Sequence, residues 1–224
     1  MKALLLAAGL GTRLRPITDQ TPKCLVPVRG RPLLAHWLDL LIPAGVSPVL
    51  VNLHYLAGQV EDFIAKSPHR DQIKTVLEPE LLGTGGTLLA NRRFFKDDPL
   101  MLIHADNYSI FDVDAFIRAH NSRPQDCPIT MMTFETDTPQ SCGIVELDRR
   151  GVVTAFHEKK ADPPGNLANG AVYILEPGIL DFLASLGEPV IDFSTQVLPD
   201  HVGRIFTFHN QGYHRDIGTP ESLE

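Results

Sequence analysis

Residues 7–16 read A-A-G-L-G-T-R-L-R-P and follow directly on a short apolar run. Gly9 and Gly11 let backbone N–H groups approach phosphate oxygens closely, while Arg13 and Arg15 supply permanently charged planar forks for the same oxygens. Polyphosphate binding is the chemistry such a loop offers. It is not a dinucleotide fingerprint, because G-x-G-x-x-G needs glycine where Leu14 stands, and no Gly-Lys-Ser/Thr follows to make a P-loop. The same letters also fit a tight strand-to-helix turn with surface arginines. Further on, Lys23 sits in a proline-bounded, otherwise apolar stretch, where it places a point charge beside a phosphate without the freedom of a surface tail. Asp106 and Asp216 each follow an apparent strand, where open α/β sheets gather their ligands, although taken singly each is more simply a turn former or helix cap. Glu158 and Lys159 are an adjacent charged pair whose plainest reading is a solvated strand end. The nine histidines show neither H-E-x-x-H nor the spacing of a closed zinc site, so most are read as surface or core fillers. His104 is the exception, read as either a substrate contact or strand-end packing.

Positioning these groups takes a scaffold. The chain has 224 residues, 43% of them hydrophobic and 21% charged, enough for one sizeable α/β domain. A formal charge of −7 offers no basic surface for a phosphate backbone, which argues against nucleic acid as a principal partner and leaves room for a local cationic pocket. The apolar run Ala3 to Ala8 is far shorter than the ~20 residues of a membrane helix. With Arg13 and Arg15 close behind and no clean cleavage pattern, it is expected to be a buried strand rather than a leader. Cys24, Cys127 and Cys142 are odd in number, widely spaced and without C-x-x-C pairing, which argues against both a disulfide framework and a zinc cluster and fits a reducing cytoplasm.

Strand-like and helix-like segments alternate through residue 121, the pattern of a mostly parallel sheet covered by helices. Strands are expected at 2–7, 49–53, 73–77 and 100–104. Helices are expected at 31–44, around Val60, Phe63 and Ile64, at 88–95, and around Val113, Phe116 and Ile117. From Ile129 onward the expected strands are 129–134, 143–147, 152–156, 171–175 and 205–208, with one clear helix around 179–183 and a last segment through 213–218. Residues 159–166, rich in proline, glycine and charge, are expected to be a mobile loop over a site.

Together the 7–16 loop and the P-K-C-L-V-P-V segment at 22–28 resemble the sugar-phosphate nucleotidylyltransferase family, the nucleotide-sugar pyrophosphorylases, whose signature is a GxGxRLxPxT loop followed by PKxLxPV. The resemblance runs through nearly the whole chain and implies a single-domain, Rossmann-like, mixed and mostly parallel sheet flanked by helices. On that reading 1–224 is one domain, with 1–121 its nucleotide-binding half and 122–224 its sugar-phosphate-binding half, and neither a β-helix acyltransferase domain nor a long helical extension is expected. The resemblance assigns Ala8, Gly9, Gly11, Thr12 and Arg13 to the triphosphate, and Arg13 and Lys23 to catalysis. Glu78, with Gly83 and Thr84 in the L-G-T-G-G loop, matches the nucleoside-binding positions. Asp106 and Asp216 match the two carboxylates that hold Mg²⁺. Gly143 in C-G-I-V, the Glu158–Lys159 pair and Asn169 match the sugar-phosphate contacts. Departures at His104, Ala105, Lys160, His214 and Arg215 bear on the acceptor rather than on the reaction.

The implied reaction transfers a nucleoside monophosphate from a nucleoside triphosphate to a sugar 1-phosphate, giving a nucleoside-diphosphate sugar and pyrophosphate for glycan or envelope synthesis. Compact relatives resemble mannose-1-phosphate or heptose-1-phosphate guanylyltransferases or N-acetylmuramate-1-phosphate uridylyltransferases. GTP is slightly favoured, because Glu78 facing the base accepts from the N1 and N2 donors of guanine. The alternatives are UTP, dTTP or CTP with another phosphorylated acceptor, or a non-catalytic nucleotide-sugar-binding regulator of the same fold. Expected partners are the two substrates, with neither nucleic acid nor membrane. The oligomeric state is left open, a homodimer being the candidate.

Overall fold

The computed structural model describes residues 1–219 and Leu223; Pro220 and Glu221, at the end of the block around Asp216, lie outside the described residues. The α/β class expected from the sequence is the one adopted, a mixed and mostly parallel sheet flanked by helices. The chain gathers into two compact units that interleave along the sequence. The first comprises Met1–Leu81, Leu102–Val113 and the stretch from Gly212, the second Leu82–Met101 and Asp114–Gln211.

In the first unit the early apolar run forms the strand Lys2–Leu6, which pairs in parallel with Val49–Leu53, itself parallel to Ile73–Leu77. All five residues of Val49–Leu53 are buried, as a central strand covered on both faces requires, and its one polar residue, Asn52, is spent on hydrogen bonds at the strand end. The register sets Leu6, Asn52 and Val76 side by side, and Ala105 N–H donates to Leu6 O at 3.1 Å. One edge of this parallel sheet therefore gathers residues 7, 52, 78 and 105, the carboxyl ends where α/β sheets bind ligands.

The helix expected at 31–44 runs Leu33–Leu41. Its start is cut back because Arg31–Pro32 pairs with Pro27–Val28 and Pro32 stays extended at ψ 138°, while Pro43 follows its end. Leu33, Leu34, Trp37, Leu38 and Leu41 form its buried face, and Trp37 Nε1–H donates to Asn107 O at 2.8 Å. That carbonyl belongs to a strand the sequence pattern did not reveal, Asn107–Ile110, antiparallel to Tyr213–Asp216 with Asn107 opposite Asp216. This ribbon sets Asp216 beside the strand end that carries Asp106.

The second unit corrects two expectations. The L-G-T-G-G segment is not an open loop but the first turn of a helix, Gly83–Ala90, and the helix expected at 88–95 is broken at Asn91, with a short turn Arg92–Phe95 beyond it. The glycines are there because another segment lies against them. Gly83 has φ +73°, and Cβ atoms built on Gly83, Gly85 and Gly86 would stand 2.5 Å from Ile191 O, 2.8 Å from Ile191 Cγ2 and 2.9 Å from Pro189 O. Gly85 and Gly86 N–H both donate to Ile191 O, at 2.8 and 3.2 Å, and Ile191 N–H to Leu82 O at 2.9 Å.

The strands of this unit lie in the order Val153–Glu158, Gly143–Leu147, Leu167–Leu175, Ile129–Glu135 and Ile205–His209, antiparallel except for the parallel last pair. The strand expected at 171–175 begins at Leu167, with a register shift between Asn169 and Tyr173 and Ala171 at φ +53°. That bulge interrupts the alternation on which the sequence reading relied.

Candidate active site

In the first unit Lys23, whose side chain is only 8% exposed, donates to Asp106 Oδ2 at 2.8 Å and lies 3.8 Å from Asp216 Oδ1. Arg13 Nη2 stands 3.6 Å from Asp216 Oδ2. Two cations thus face two carboxylates, a nearly neutral cluster formed from residues spread over two hundred positions of sequence. Burial pushes the Asp106 carboxyl up, but the charges of Lys23 and His104 and the Lys23 hydrogen bond outweigh it and hold the group below the usual carboxylate range. His214, on the same face of the ribbon as Asp216, is pushed down to about 4 by burial against the pull of Asp106, so its imidazole is neutral at pH 7. His104 is part-buried at the end of its strand beside Asp106.

Local packing explains how the cluster is held. Gly11 sits at φ +64°, and a Cβ there would stand 2.8 Å from Thr18 Cγ2 and 3.2 Å from Lys23 Cβ; Thr18 Oγ1–H donates to Gly11 O at 2.7 Å. The turn carrying Arg13 is thereby pinned against the segment carrying Lys23. A Cβ on Gly218 would stand 2.8 Å from both Arg13 Nη2 and Asp216 Oδ2, so this glycine keeps room for that pair. Gly9 differs. Among the described residues no atom beyond its chain neighbours lies within 4 Å of where its Cβ would stand, so its bareness answers no packing need there and fits close approach by a ligand. Ala8 is buried, whereas Gly9, Thr12 and Arg13 are exposed.

At the same sheet edge Asn52 Oδ1 accepts from Ala7 N–H at 2.7 Å and Asn52 Nδ2 donates to Glu78 Oε1 at 3.2 Å. Glu78 is buried, and among the described residues its Oε2 takes no hydrogen bond. An unspent buried acceptor of this kind costs about 1–3 kcal/mol and is relieved by an incoming donor. Oε2 is closed to solvent here, so a base reaches it only if covering atoms shift.

In the second unit the remaining predicted residues meet across three strands. Glu158 pairs with Gly143 and Ala168 with Ile144, and continuing that register sets Asn169 beside Gly143. Gly143 is the low point between two side chains: a Cβ on it would stand 2.7 Å from Glu158 Oε2 and 2.7 Å from the Phe156 ring. Lys159, at φ +47°, turns out of the strand, its N–H donating to Cys142 O at 3.1 Å and its Nζ 3.5 Å from Glu158 Oε1. A non-glycine residue held at positive φ is a strained placement of the kind that binding sites retain. Asn169 Oδ1 accepts from Ala171 N–H at 2.9 Å and its Nδ2 donates to Tyr173 Oη at 2.7 Å, so both ends of the amide are fixed. Thr84 Oγ1 accepts from Phe193 N–H at 2.7 Å, an internal use for a hydroxyl the sequence reading gave to nucleotide.

Sequence reasoning missed Thr18, Asn52, Gly218 and Tyr173. Asn52 was findable as the one polar residue in V-L-V-N-L; Gly218 carried no signal apart from its neighbour Asp216. Two carboxylates drawn to one cation are the donor number that Mg²⁺ takes from protein when phosphate and water complete its shell, so Asp106 and Asp216 fit that ion.

A glycine loop, a buried lysine and paired carboxylates at the carboxyl edge of a parallel sheet mark an α/β protein of the kind that gathers its ligands there. The family model described as nucleotidyl transferase matches residues 2–224, and the chain belongs to that family. It is 32% identical over 224 residues to a mannose-1-phosphate guanylyltransferase of Mycobacterium tuberculosis, covering 99% of this chain. It is 30% identical over 228 residues to the mannose-1-phosphate guanylyltransferase catalytic subunit beta of Xenopus tropicalis, covering 100% of this chain. The chain spans 62% of the length of each of these relatives. Among solved structures, HddC from Yersinia pseudotuberculosis complexed with GMP-PN superposes with a TM-score of 0.82 at 26% identity, over 99% of this chain and 96% of that one. A Bacillus anthracis protein named as a glucose-1-phosphate thymidylyltransferase shares the fold, with a TM-score of 0.89 at 20% identity over 100% of this chain and 92% of that one.

Proposed function

We propose that the chain transfers a nucleoside monophosphate from a nucleoside triphosphate to a sugar 1-phosphate, with GTP the favoured donor and the cytoplasm the compartment. The observation that carries this is the buried Lys23 ammonium set between Asp106 and Asp216 beside the glycine loop. An oxygen of the sugar 1-phosphate attacks the α-phosphorus while the bond from that phosphorus to the bridging oxygen of pyrophosphate breaks. The attacking phosphate is already ionised, so no general base is needed, and the protein's task is to neutralise and align two anions. Ala8, Gly9, Gly11 and Thr12 cradle the triphosphate, Arg13 stabilises charge on the α-phosphate and departing pyrophosphate, and Lys23 neutralises the reacting phosphates. Asp106 and Asp216 would hold Mg²⁺, which when bound supplies further charge neutralisation to the phosphates.

Glu78, Gly83 and Thr84 serve the nucleoside, and Gly143, Glu158, Lys159 and Asn169 the acceptor, within the halves 1–121 and 122–224. Guanine is favoured by the unspent acceptor on Glu78, which suits its N1–H and N2–H donors, and by the relatives named as guanylyltransferases. The test is Mg²⁺-dependent pyrophosphate release from a panel of triphosphates and sugar 1-phosphates, with GTP and mannose 1-phosphate expected among the productive pairs. Folded protein that releases none from any pair overturns the reading, and binding of a nucleotide sugar without turnover would make the chain a regulatory binder instead. Asp106→Ala is expected to abolish turnover while sparing the fold; activity near that of the wild type would remove Asp106 from the metal site.

A further inference from the structure

Asn169 is held by a hydrogen-bonded chain that ends on a residue outside every sequence motif. Ala171 N–H, turned by the bulge at φ +53°, needs an acceptor, and Asn169 Oδ1 provides it at 2.9 Å. That contact settles which end of the amide is which, so Nδ2 faces Tyr173 Oη at 2.7 Å and donates to it. The phenol oxygen accepts there, with its own proton left on the hydroxyl. Tyr173 is fully buried, its ring 5.1 Å from that of Phe193, and burial pushes its hydroxyl far above the usual phenol range, so it keeps that proton at any working pH. Among the described residues the amide is left with one Nδ2–H and one Oδ1 lone pair unspent, and the strand register sets Asn169 beside Gly143, which neighbours the Glu158 carboxylate. A carboxylate and an oriented amide side by side match a hydroxyl, which donates to one and accepts from the other.

We infer that Tyr173 is a positioning residue for acceptor binding, orienting Asn169 toward a sugar hydroxyl. This rests on the acceptor role of Asn169 given above. Tyr173→Phe keeps the ring and deletes the hydroxyl, which frees the amide to rotate. In pyrophosphate-release kinetics the variant is expected to raise the KM for mannose 1-phosphate about five- to tenfold, with kcat and the KM for GTP within about twofold of wild type. Ile174→Val, a packing change in the same buried strand, serves as control: it lowers the melting temperature without moving either KM. If Tyr173→Phe lowers the melting temperature while its acceptor KM stays within twofold of wild type, Tyr173 is a packing residue and the inference fails. Titration calorimetry with mannose 1-phosphate separates the two readings. Binding by wild type that Tyr173→Phe weakens, without any turnover, overturns the transfer reading and upholds the positioning role, whereas no binding by wild type overturns both.

Discussion

Replacing Lys23 by methionine tests the cationic cluster most directly. Nζ lies 2.8 Å from Asp106 Oδ2 and 3.8 Å from Asp216 Oδ1, so deleting its charge leaves two carboxylate oxygens within roughly 6–7 Å with only Arg13 to offset them. At an effective dielectric of about 20 their mutual repulsion is on the order of 2–3 kcal/mol. Breaking a fully buried ion pair costs about 3–5 kcal/mol, but here the Asp106 and Asp216 side chains are 41% and 52% exposed and water solvates them. The expected loss of stability is therefore only about 1 kcal/mol, further reduced because an apolar side chain fits the buried stem position better than an ammonium. Function should suffer far more. Loss of a preorganised cation aimed at reacting phosphates is expected to lower kcat by about 10²–10³. The same change removes an internal competitor for the carboxylates, so Mn²⁺ binding without nucleotide, followed by electron paramagnetic resonance, should tighten. Turnover within tenfold of wild type, or Mn²⁺ binding no tighter than in wild type, would refute the assignment of Lys23 as the charge shared by the reacting phosphates and the metal carboxylates.

Gly143→Ala places a Cβ where Glu158 Oε2 and the Phe156 ring stand at 2.7 Å, and is expected to raise the acceptor KM at least tenfold with the KM for the triphosphate unchanged; steady-state kinetics with each substrate varied decides it. Gly83→Ala meets Ile191 O at 2.5 Å and adopts a positive φ, so urea unfolding should show a loss of about 2–4 kcal/mol. His120, buried and hydrogen-bonded to Thr130 and Glu176, is pushed down to about 4 by desolvation and by Arg123, against the pull of Glu176. Because the unfolded imidazole titrates near 6.5, its contribution is complete above that pH and is lost as pH falls toward 4, by up to about 3 kcal/mol. In His120→Gln, urea midpoints between pH 4 and 6.5 should depend less steeply on pH than in wild type, and an unchanged slope would exclude His120 as the source.

The strands 49–53 and 100–104 were legible because central strands must be apolar on both faces, whereas 73–77, an edge strand with Lys74, Thr75 and Leu77 exposed, was legible only from its β-branched and apolar letters. The strand Asn107–Ile110 was not, since it is only four residues long and its ribbon partner lies more than a hundred positions away. The same limit hid the nature of the glycines at 83–86. Read locally they signal a loop, and only the approach of Ile191 from a distant segment makes them a close-packed helical turn. Asp106, Asp216, Glu158 and Lys159 were legible as a set through resemblance but ambiguous one by one, because an aspartate after a strand satisfies a turn as well as a site. Thr18, Gly218 and Tyr173 act by holding other residues, and nothing in their spacing announces that.

Asn52 couples two positions that evolution would otherwise be free to vary separately. Its carbonyl end is committed to the main chain at Ala7, which obliges its amino end to find an oxygen at position 78. A lysine or arginine at 78 would set donor against donor, and the misfit would be passed straight to the root of the glycine loop. Descendants that place a donor-only residue at 78 must therefore recode 52 with it, and a survey of engineered pairs at these two sites should find such replacements viable only when 52 changes too.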